Sequence, residues 1–413
     1  MSHPVLPPDL DTLLVAPCML SDPFPVYDRL RREAPIAWSQ QWNAWVVSRH
    51  ADVEASLRDK DNLSNENRQA LLFDGLPPEQ RESLSRLRHY FAQKDVIGSD
   101  PPDHTRMRAL VQKAFTPRTI ASLQPRIEAL AAELIDAAAA QGEFDFVADV
   151  AHPLPVVLIA ELLGAPPEDR PLFKRWSADI LGFQGSGRTA YASALVSQQS
   201  LTELFTYMTA LIEDRRRAPR DDLISVLAAA EDEGRTLSRD ELLATCNTLL
   251  TAGHETTTNL IGNLVRSLLL DPDLWKSVVA SPRLIPAAVE ESLRLDAPKQ
   301  RYFRRIKHAH TFAGAALAAD SMIFQLIGSA NRDPDVFPEP DRFILDRRNV
   351  RDHLSLGAGI HFCLGAGLAR TEAAVVLARL MERAPNLRLS GRGFSWQERV
   401  QFRGPASLWV STG

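Results

Sequence analysis

Cys363 lies in the stretch His353-Leu354-Ser355-Leu356-Gly357-Ala358-Gly359-Ile360-His361-Phe362-Cys363-Leu364-Gly365-Ala366-Gly367-Leu368-Ala369-Arg370, whose composition suits a thiolate that ligates a metal. Four glycines in eleven residues bracket the cysteine, and an Ala/Leu-rich helix follows. Glycine lets a backbone turn sharply and come close to a flat ligand. Backbone N–H groups at a helix start favour the thiolate over the thiol. The competing use of such a loop is to cradle phosphate, but no Lys-Ser/Thr follows it and no G-x-G-x-x-G comes after a strand. The other cysteines, Cys18 and Cys246, are far away in the chain. Three widely spaced cysteines form neither a disulfide framework nor a zinc pattern, and these two read as small buried hydrophobes.

A second constellation, Ala252-Gly253-His254-Glu255-Thr256-Thr257-Thr258, sets an acid beside alcohols. It falls in the middle of a helix predicted from Ser238, where Glu241 completes a capping box, to Leu270, before Asp271-Pro272. That helix would be about 48 Å long at 1.5 Å per residue. Glycine costs a helix about 1 kcal/mol relative to alanine and β-branched residues add to the strain. Thr256 can also bond back to the carbonyl of Ala252, so an interruption is predicted here. It serves either a tight helix crossing at Gly253 or a groove that admits a ligand. Another helix is predicted after Ser281-Pro282, ending near Asp296 because Pro298 disfavours helix before it. On it Glu291 and Arg294 are three apart and can pair. Taken alone, they read as a solvated surface pair of little energetic weight.

Together these stretches resemble the cytochromes P-450, the haem-thiolate monooxygenases, and specifically their soluble bacterial branch. The family's ligand loop, F-G-x-G-x-H-x-C-x-G, reads L-G-A-G-I-H-F-C-L-G here, with Leu356 where phenylalanine is usual. That departure touches packing and redox potential near the sulfur, not the ligand itself. The oxygen-activating pattern A/G-G-x-D/E-T-T is matched at Ala252 to Thr257, and E-x-x-R at Glu291 and Arg294. The stretch from Asn331-Arg332-Asp333-Pro334 through Phe337-Pro338 to Asp341-Arg342-Phe343 is similar to the family's meander. Asp100 to Arg108 is similar to the start of its haem-flanking helix. The matches run in family order from about Asp22 to the end.

The resemblance implies a mainly α fold with small β-sheets (α+β), with the haem between the long central helix and the helix after the cysteine loop. It implies one haem-thiolate domain over residues 1–413, residues 1–21 being an N-terminal extension. Cys363 would be the axial ligand of the iron of haem b (iron protoporphyrin IX). Haem-thiolate ligation in general pushes electron density to the iron and favours O–O cleavage. His104, Arg108, Arg304 and His361 match the family's propionate binders, and buried propionates need such cations and donors. His104 and Arg108, four apart, share a helix face, whereas Arg305 would point to the other side of a strand from Arg304. Thr256 would hydrogen-bond oxygen or an ordered water, and Glu255 would feed protons to it. Glu291 and Arg294 would be buried behind the haem, reversing the surface reading. The pocket would be lined near an early loop at about residues 80–100, at Leu249–Gly253, at Pro298–Phe303 and around Phe402. There Lys299, Gln300 and Arg301 would either steady a carboxylate or oxygen-rich substrate or face water; Lys299 is read as facing water, while Arg301 is left open.

The activity so implied is insertion of one oxygen atom from O2 into an apolar small molecule, by hydroxylation or epoxidation. Electrons would come from a ferredoxin and a ferredoxin reductase fed by NAD(P)H. A peroxide-driven relative, or a haem sensor or carrier, is the alternative; the Glu255-Thr256 pair counts against both.

The remaining signals are helical for the most part. Ile120 to Gln141 is Ala- and Leu-rich at helical spacing, with Gly142 as a stop. Strand signals cluster early, as a hairpin of Ile36–Trp38 with Ala44–Ser48, and late, around Arg304–Phe324 and Val400–Val410. The 413 residues are 45% hydrophobic and 24% charged, ordinary for a globular protein. A net charge of −5 with no basic block argues against nucleic-acid binding. No apolar run approaches the roughly 20 residues of a membrane span. The start, MSHPVLPPDLDTLLVAPCML, lacks the features of a signal peptide, so a cytoplasmic protein is expected.

Overall fold

The computed structural model describes residues 4–68, 73, 75–113, 115–184, 190–230 and 236–412. The described residues are mainly helical, with short strands gathered from distant parts of the chain. Contacts divide the chain into two units, residues 1–64, 125–152 and 256–413 in the first and 65–124 with 153–255 in the second.

The first unit holds a sheet whose strands run in the order Ile36–Ser39, Ala44–Val47, Met322–Leu326, Arg301–Ile306 and Leu63–Ser64. The first two form the antiparallel hairpin expected from sequence, and Ala44–Val47 pairs in parallel with Met322–Leu326. Side chains alternate across such a sheet. One face, carrying Trp45, Val47, Ile306 and Ile323, joins a core with Leu57, Leu354 and Ala358. The other, carrying Val46 and Leu326, packs on Leu6, Leu10, Leu14, Tyr27 and Leu30. A second sheet sets Pro405–Ser411 between Glu143–Asp145 and Arg388–Trp396. The predicted late strand clusters are thus found, starting at Arg301 instead of Arg304 in the first and broken by turns.

The predicted long helix spans Arg239–Leu270. Its capping box is formed as expected: Ser238 Oγ accepts from the Glu241 N–H at 3.2 Å, and Glu241 Oε2 accepts from the Ser238 N–H at 2.8 Å. The predicted interruption is absent, since the helix runs unbroken through residues 252–258. Tertiary packing overrides a propensity deficit of this size. From Asn259 onward that packing is very close. An added Cβ would lie 2.8 Å from Pro405 at Gly262, and 2.1 Å from Asn259 Oδ1 at Gly404. Asn263 Nδ2 donates to the carbonyls of Asp296 and Arg403, at 3.0 and 2.9 Å. The half-helix beginning at Thr256 is therefore bolted to the 397–405 segment.

The helix Pro117–Ala139 matches its expected span within a turn and runs through Pro125. The helix expected directly after Ser281-Pro282 begins one turn later. A 3-10 turn covers Pro282–Leu284, the Ser281 side chain caps nothing, and the α-helix is Ile285–Leu295.

The secondary-structure elements described in the second unit are helices. It contains Asp103–Gln112, Pro153–Leu162, Arg170–Gln184, Tyr191–Arg217 and the first half of the long helix. The region expected as a loop at about residues 80–100 carries the helices Pro78–Ser83 and Ser85–Ala92. Phe91 stacks there on Phe183, with centroids 6.1 Å apart, and Phe73 leans on both. No helix of the described residues is long and apolar enough to cross a membrane.

Candidate active site

Cys363 sits between a 3-10 turn, Gly359–His361, and the helix Ala366–Arg383. The loop is held by its own backbone. The Cys363 N–H donates to Leu356 O at 2.9 Å, Gly357 N–H to Leu354 O at 2.8 Å, and Phe362 N–H to Gly359 O at 3.2 Å. Two of the four glycines do the turning, Gly357 at φ 73° and Gly359 at φ 68°, a region that side chains disfavour. At Gly359 an added Cβ would stand 3.1 Å from both Arg58 Cα and Leu57 O. The loop therefore lies against the end of the helix His50–Arg58. Cys363 and His361 are half-buried, and Leu356 is buried.

Arg304 lies in the strand Arg301–Ile306 and is buried. Its Nη1 faces the carbonyls of Ser56 and Asp59, at 3.4 and 3.3 Å, where the helix His50–Arg58 ends. A cation there is favoured by the helix dipole. Tyr302, on the same face of the strand, donates its hydroxyl to Ser355 O in the cysteine loop at 3.3 Å. Arg305, on the opposite face as expected, pairs with Asp320. Cys363, His361 and Arg304 thus belong to one unit and bear on one short helix or on the loop packed against it.

Behind the loop the E-x-x-R pair is completely buried and bidentate. Arg294 Nε and Nη2 each donate to Glu291 at 2.8 Å, and both side chains are fully shielded from solvent. This corrects the surface reading: the pair's helix is covered by the segment 331–347. Arg294 also donates to the carbonyls of Asn331, Pro340 and Arg342. Arg347, which no sequence signal marked, adds a second guanidinium to Glu291 at 3.0 Å.

The adjacent Glu290 acts differently. It accepts from His353 Nε2 at 3.2 Å and from Arg370 Nη2 at 3.0 Å. Burial pushes its carboxyl up, but the hydrogen bonds from His353 and Arg370 outweigh that and hold it at about 2. His353 opens the cysteine loop and Arg370 lies seven residues past the cysteine, so one carboxylate ties down both ends. Among the described residues no three His, Cys, Asp or Glu side chains gather as a metal site. A metal held through Cys363 must bring most of its ligands with it, as iron in a porphyrin does, and the residues fit that group.

In the second unit His104 is buried and Arg108 half-buried on one face of Asp103–Gln112. Arg106, between them, turns away to pair with Glu241 and Asp103. Glu255 is buried, and the next residue, Thr256, is half-buried. Ala252 and Gly253 are exposed, and a Cβ built on Gly253 would meet nothing nearer than Ile159 Cδ1 at 3.8 Å. Within this unit the glycine is not used for a tight crossing. His254, also unmarked by sequence reasoning, is buried. Its Nδ1 donates to Leu250 O at 2.9 Å, which leaves Nε2 to accept from Ser177 Oγ at 3.2 Å. Nε2 lies 4.0 Å from Glu255 Oε2.

Of the residues read as lining a pocket, Lys299 is half-buried. Its Nζ lies 4.8 Å from the Tyr302 ring and 5.6 Å from that of Phe402. Gln300 turns inward and donates to Ala297 O at 2.8 Å. Arg301 points to the opposite face of the sheet from Arg304, against Trp42 and Phe324.

The family description Cytochrome P-450 matches residues 192–384. The erythromycin C-12 hydroxylase of Saccharopolyspora erythraea is 39% identical over 86% of this chain and 85% of its own length. The mycinamicin IV hydroxylase/epoxidase of Micromonospora griseorubida is 38% identical over 89% of each chain. The structure of CYP109E1 from Bacillus megaterium in complex with testosterone superposes with a TM-score of 0.83 at 34% identity, covering 95% of this chain and 99% of that one.

Proposed function

The chain belongs to the cytochrome P-450 family and is a haem b monooxygenase, and on that basis we propose that it hydroxylates or epoxidises an apolar small molecule with electrons from a separate ferredoxin and ferredoxin reductase. When bound, the haem supplies reduction of dioxygen and transfer of one oxygen atom to the substrate. Cys363 would hold the haem iron through its thiolate, and the observation that carries the assignment is its backbone-fixed loop, closed at both ends on Glu290. By likeness to the family, His104, Arg108, Arg304 and His361 would be the cations and donors for the propionates. Thr256 Oγ1 orients the proton that the reaction consumes, and the Glu255 carboxyl replenishes it from solvent. The substrate class rests on the relatives that act on erythromycin and mycinamicin IV and on the one solved with testosterone. The chain works in the cytoplasm as one catalytic domain over residues 1–413.

The decisive experiment is Thr256→Ala with a ferredoxin, its reductase and NADPH, set beside peroxide alone. The variant should bind haem and substrate and accept electrons as the parent does. It should lose coupling, so that most reductant ends as released hydrogen peroxide. Glu255→Gln should instead slow the whole cycle, by about a hundredfold if proton supply limits it. An unchanged product yield per NADPH in Thr256→Ala would remove the residue from the mechanism and favour the peroxide-driven reading.

Haem retention provides a separate test. Arg304→Ala and Arg108→Ala should each lower haem occupancy after purification, and the double variant should be largely haem-free. Loss of a partner for a buried charge costs around 3–5 kcal/mol, less where water reaches it. Full occupancy in the double variant would rule out the propionate role of both.

A further inference from the structure

Arg301 is buried, with only 6% of its surface exposed. Among the described residues its guanidinium makes no hydrogen bond and no ion pair. It lies 4.2 Å from the centroid of the Trp42 ring and 5.1 Å from that of Phe324, and those two rings are 5.1 Å apart. Phe303 continues the aromatic wall, 5.7 Å from Phe324. Buried Arg403 and Arg332 and half-buried Arg266, by contrast, surround Asp296. Arg301 has no such acid. Burial pulls its guanidinium down to about 10, and the only group opposing that is the buried Tyr27 hydroxyl.

A charge removed from water without a counter-charge is costly, and ring faces offset only part of that cost. The two terminal nitrogens are the groups left available, since Nε alone is sealed without a partner. Two parallel donors in a rigid fork match a carboxylate. A phosphate would call for more charge than one guanidinium, and the walls here are aromatic. The half-buried rings of Trp42, Phe324 and Phe303 offer an apolar track for whatever carries the anion. Strand alternation sets all this on the face opposite Arg304, so it is no part of the propionate set.

We propose that Arg301, with Trp42 and Phe324, forms a binding site for the carboxylate of an apolar-tailed small molecule, distinct from the iron site. The proposal stands independently of the haem assignment. Decanoate is a suitable probe, titrated calorimetrically into the haem-loaded protein with phenylimidazole held on the iron. The parent should take up one decanoate without change in the iron spectrum, and decanol, with the same tail but no carboxylate, should bind far more weakly. Arg301→Met should lose about ten- to a hundredfold in decanoate affinity, the worth of hydrogen bonds to a charged group. Arg301→Lys, which keeps the charge without the fork, should fall between. Without ligand, Arg301→Met should be at least as heat-stable as the parent, because it relieves an unpaired buried charge. Spectrally silent decanoate binding that survives in Arg301→Met would overturn the proposal. So would a parent that binds no decanoate, or an Arg301→Met protein that melts well below the parent, which would assign the residue to packing alone.

Discussion

Cys363→Ser should purify without the thiolate-type band in the reduced carbon-monoxide spectrum, and its monooxygenase turnover should fall to background. The effect is all-or-none because serine at this position retains the loop but supplies no thiolate. The N–H of residue 363 can still donate to Leu356 O, and the glycine turns and the Glu290 clamp are untouched. Fold and far-ultraviolet dichroism should therefore survive while the spectrum is lost. Cys246 provides the control. It is fully buried in the long helix, and burial pushes its thiol up to about 12, so it stays protonated and inert at neutral pH. Cys246→Ala and Cys18→Ala should keep the band. Its disappearance in either of those, with survival in Cys363→Ser, would move the ligand elsewhere.

Glu291→Gln should damage folding more than any surface substitution in the chain. The carboxylate is fully buried and is shared by Arg294 and Arg347, so its neutralisation leaves two guanidiniums facing a group without charge. Breaking one buried pair costs about 3–5 kcal/mol, and whole domains are stable by only about 5–15 kcal/mol. Most of the protein should be insoluble, or its urea midpoint should drop sharply. Arg294→Lys should be milder, because it keeps the charge near Glu291 but cannot reproduce the carbonyl contacts to Asn331, Pro340 and Arg342. Equal midpoints for Glu291→Gln and the parent would mean that the pair carries no net stability.

These two sites show what the linear chain makes legible. The glycine-flanked cysteine and the Ser238–Glu241 box are local patterns, written within a few residues of the groups they position. Burial of Glu291 is not local. It depends on a segment some fifty residues later folding over the helix, and spacing alone led to a solvated pair. Arg347 and His353 went unmarked for the same reason, since each meets its acid across more than fifty residues. The break expected near Gly253 failed to appear because helix propensity is worth less than the packing around Asn259, Gly262 and Asn263. The family resemblance carried what local pattern could not: the buried state of the pair and the membership itself.

The strand Arg301–Ile306 presents two cations to different surroundings through parity alone. Odd positions turn Arg301 toward the Trp42 and Phe324 rings, and even positions turn Arg304 toward the end of the helix His50–Arg58. Its alignment is fixed by pairing Arg301 with Leu326 and Arg304 with Ile323. Slippage by a single residue exchanges the two faces wholesale. The strand therefore behaves as a reading frame. It can absorb a point substitution as a loss at one site, but a gained or lost residue upstream is an error in both sites at once, with each cation delivered to the wrong address.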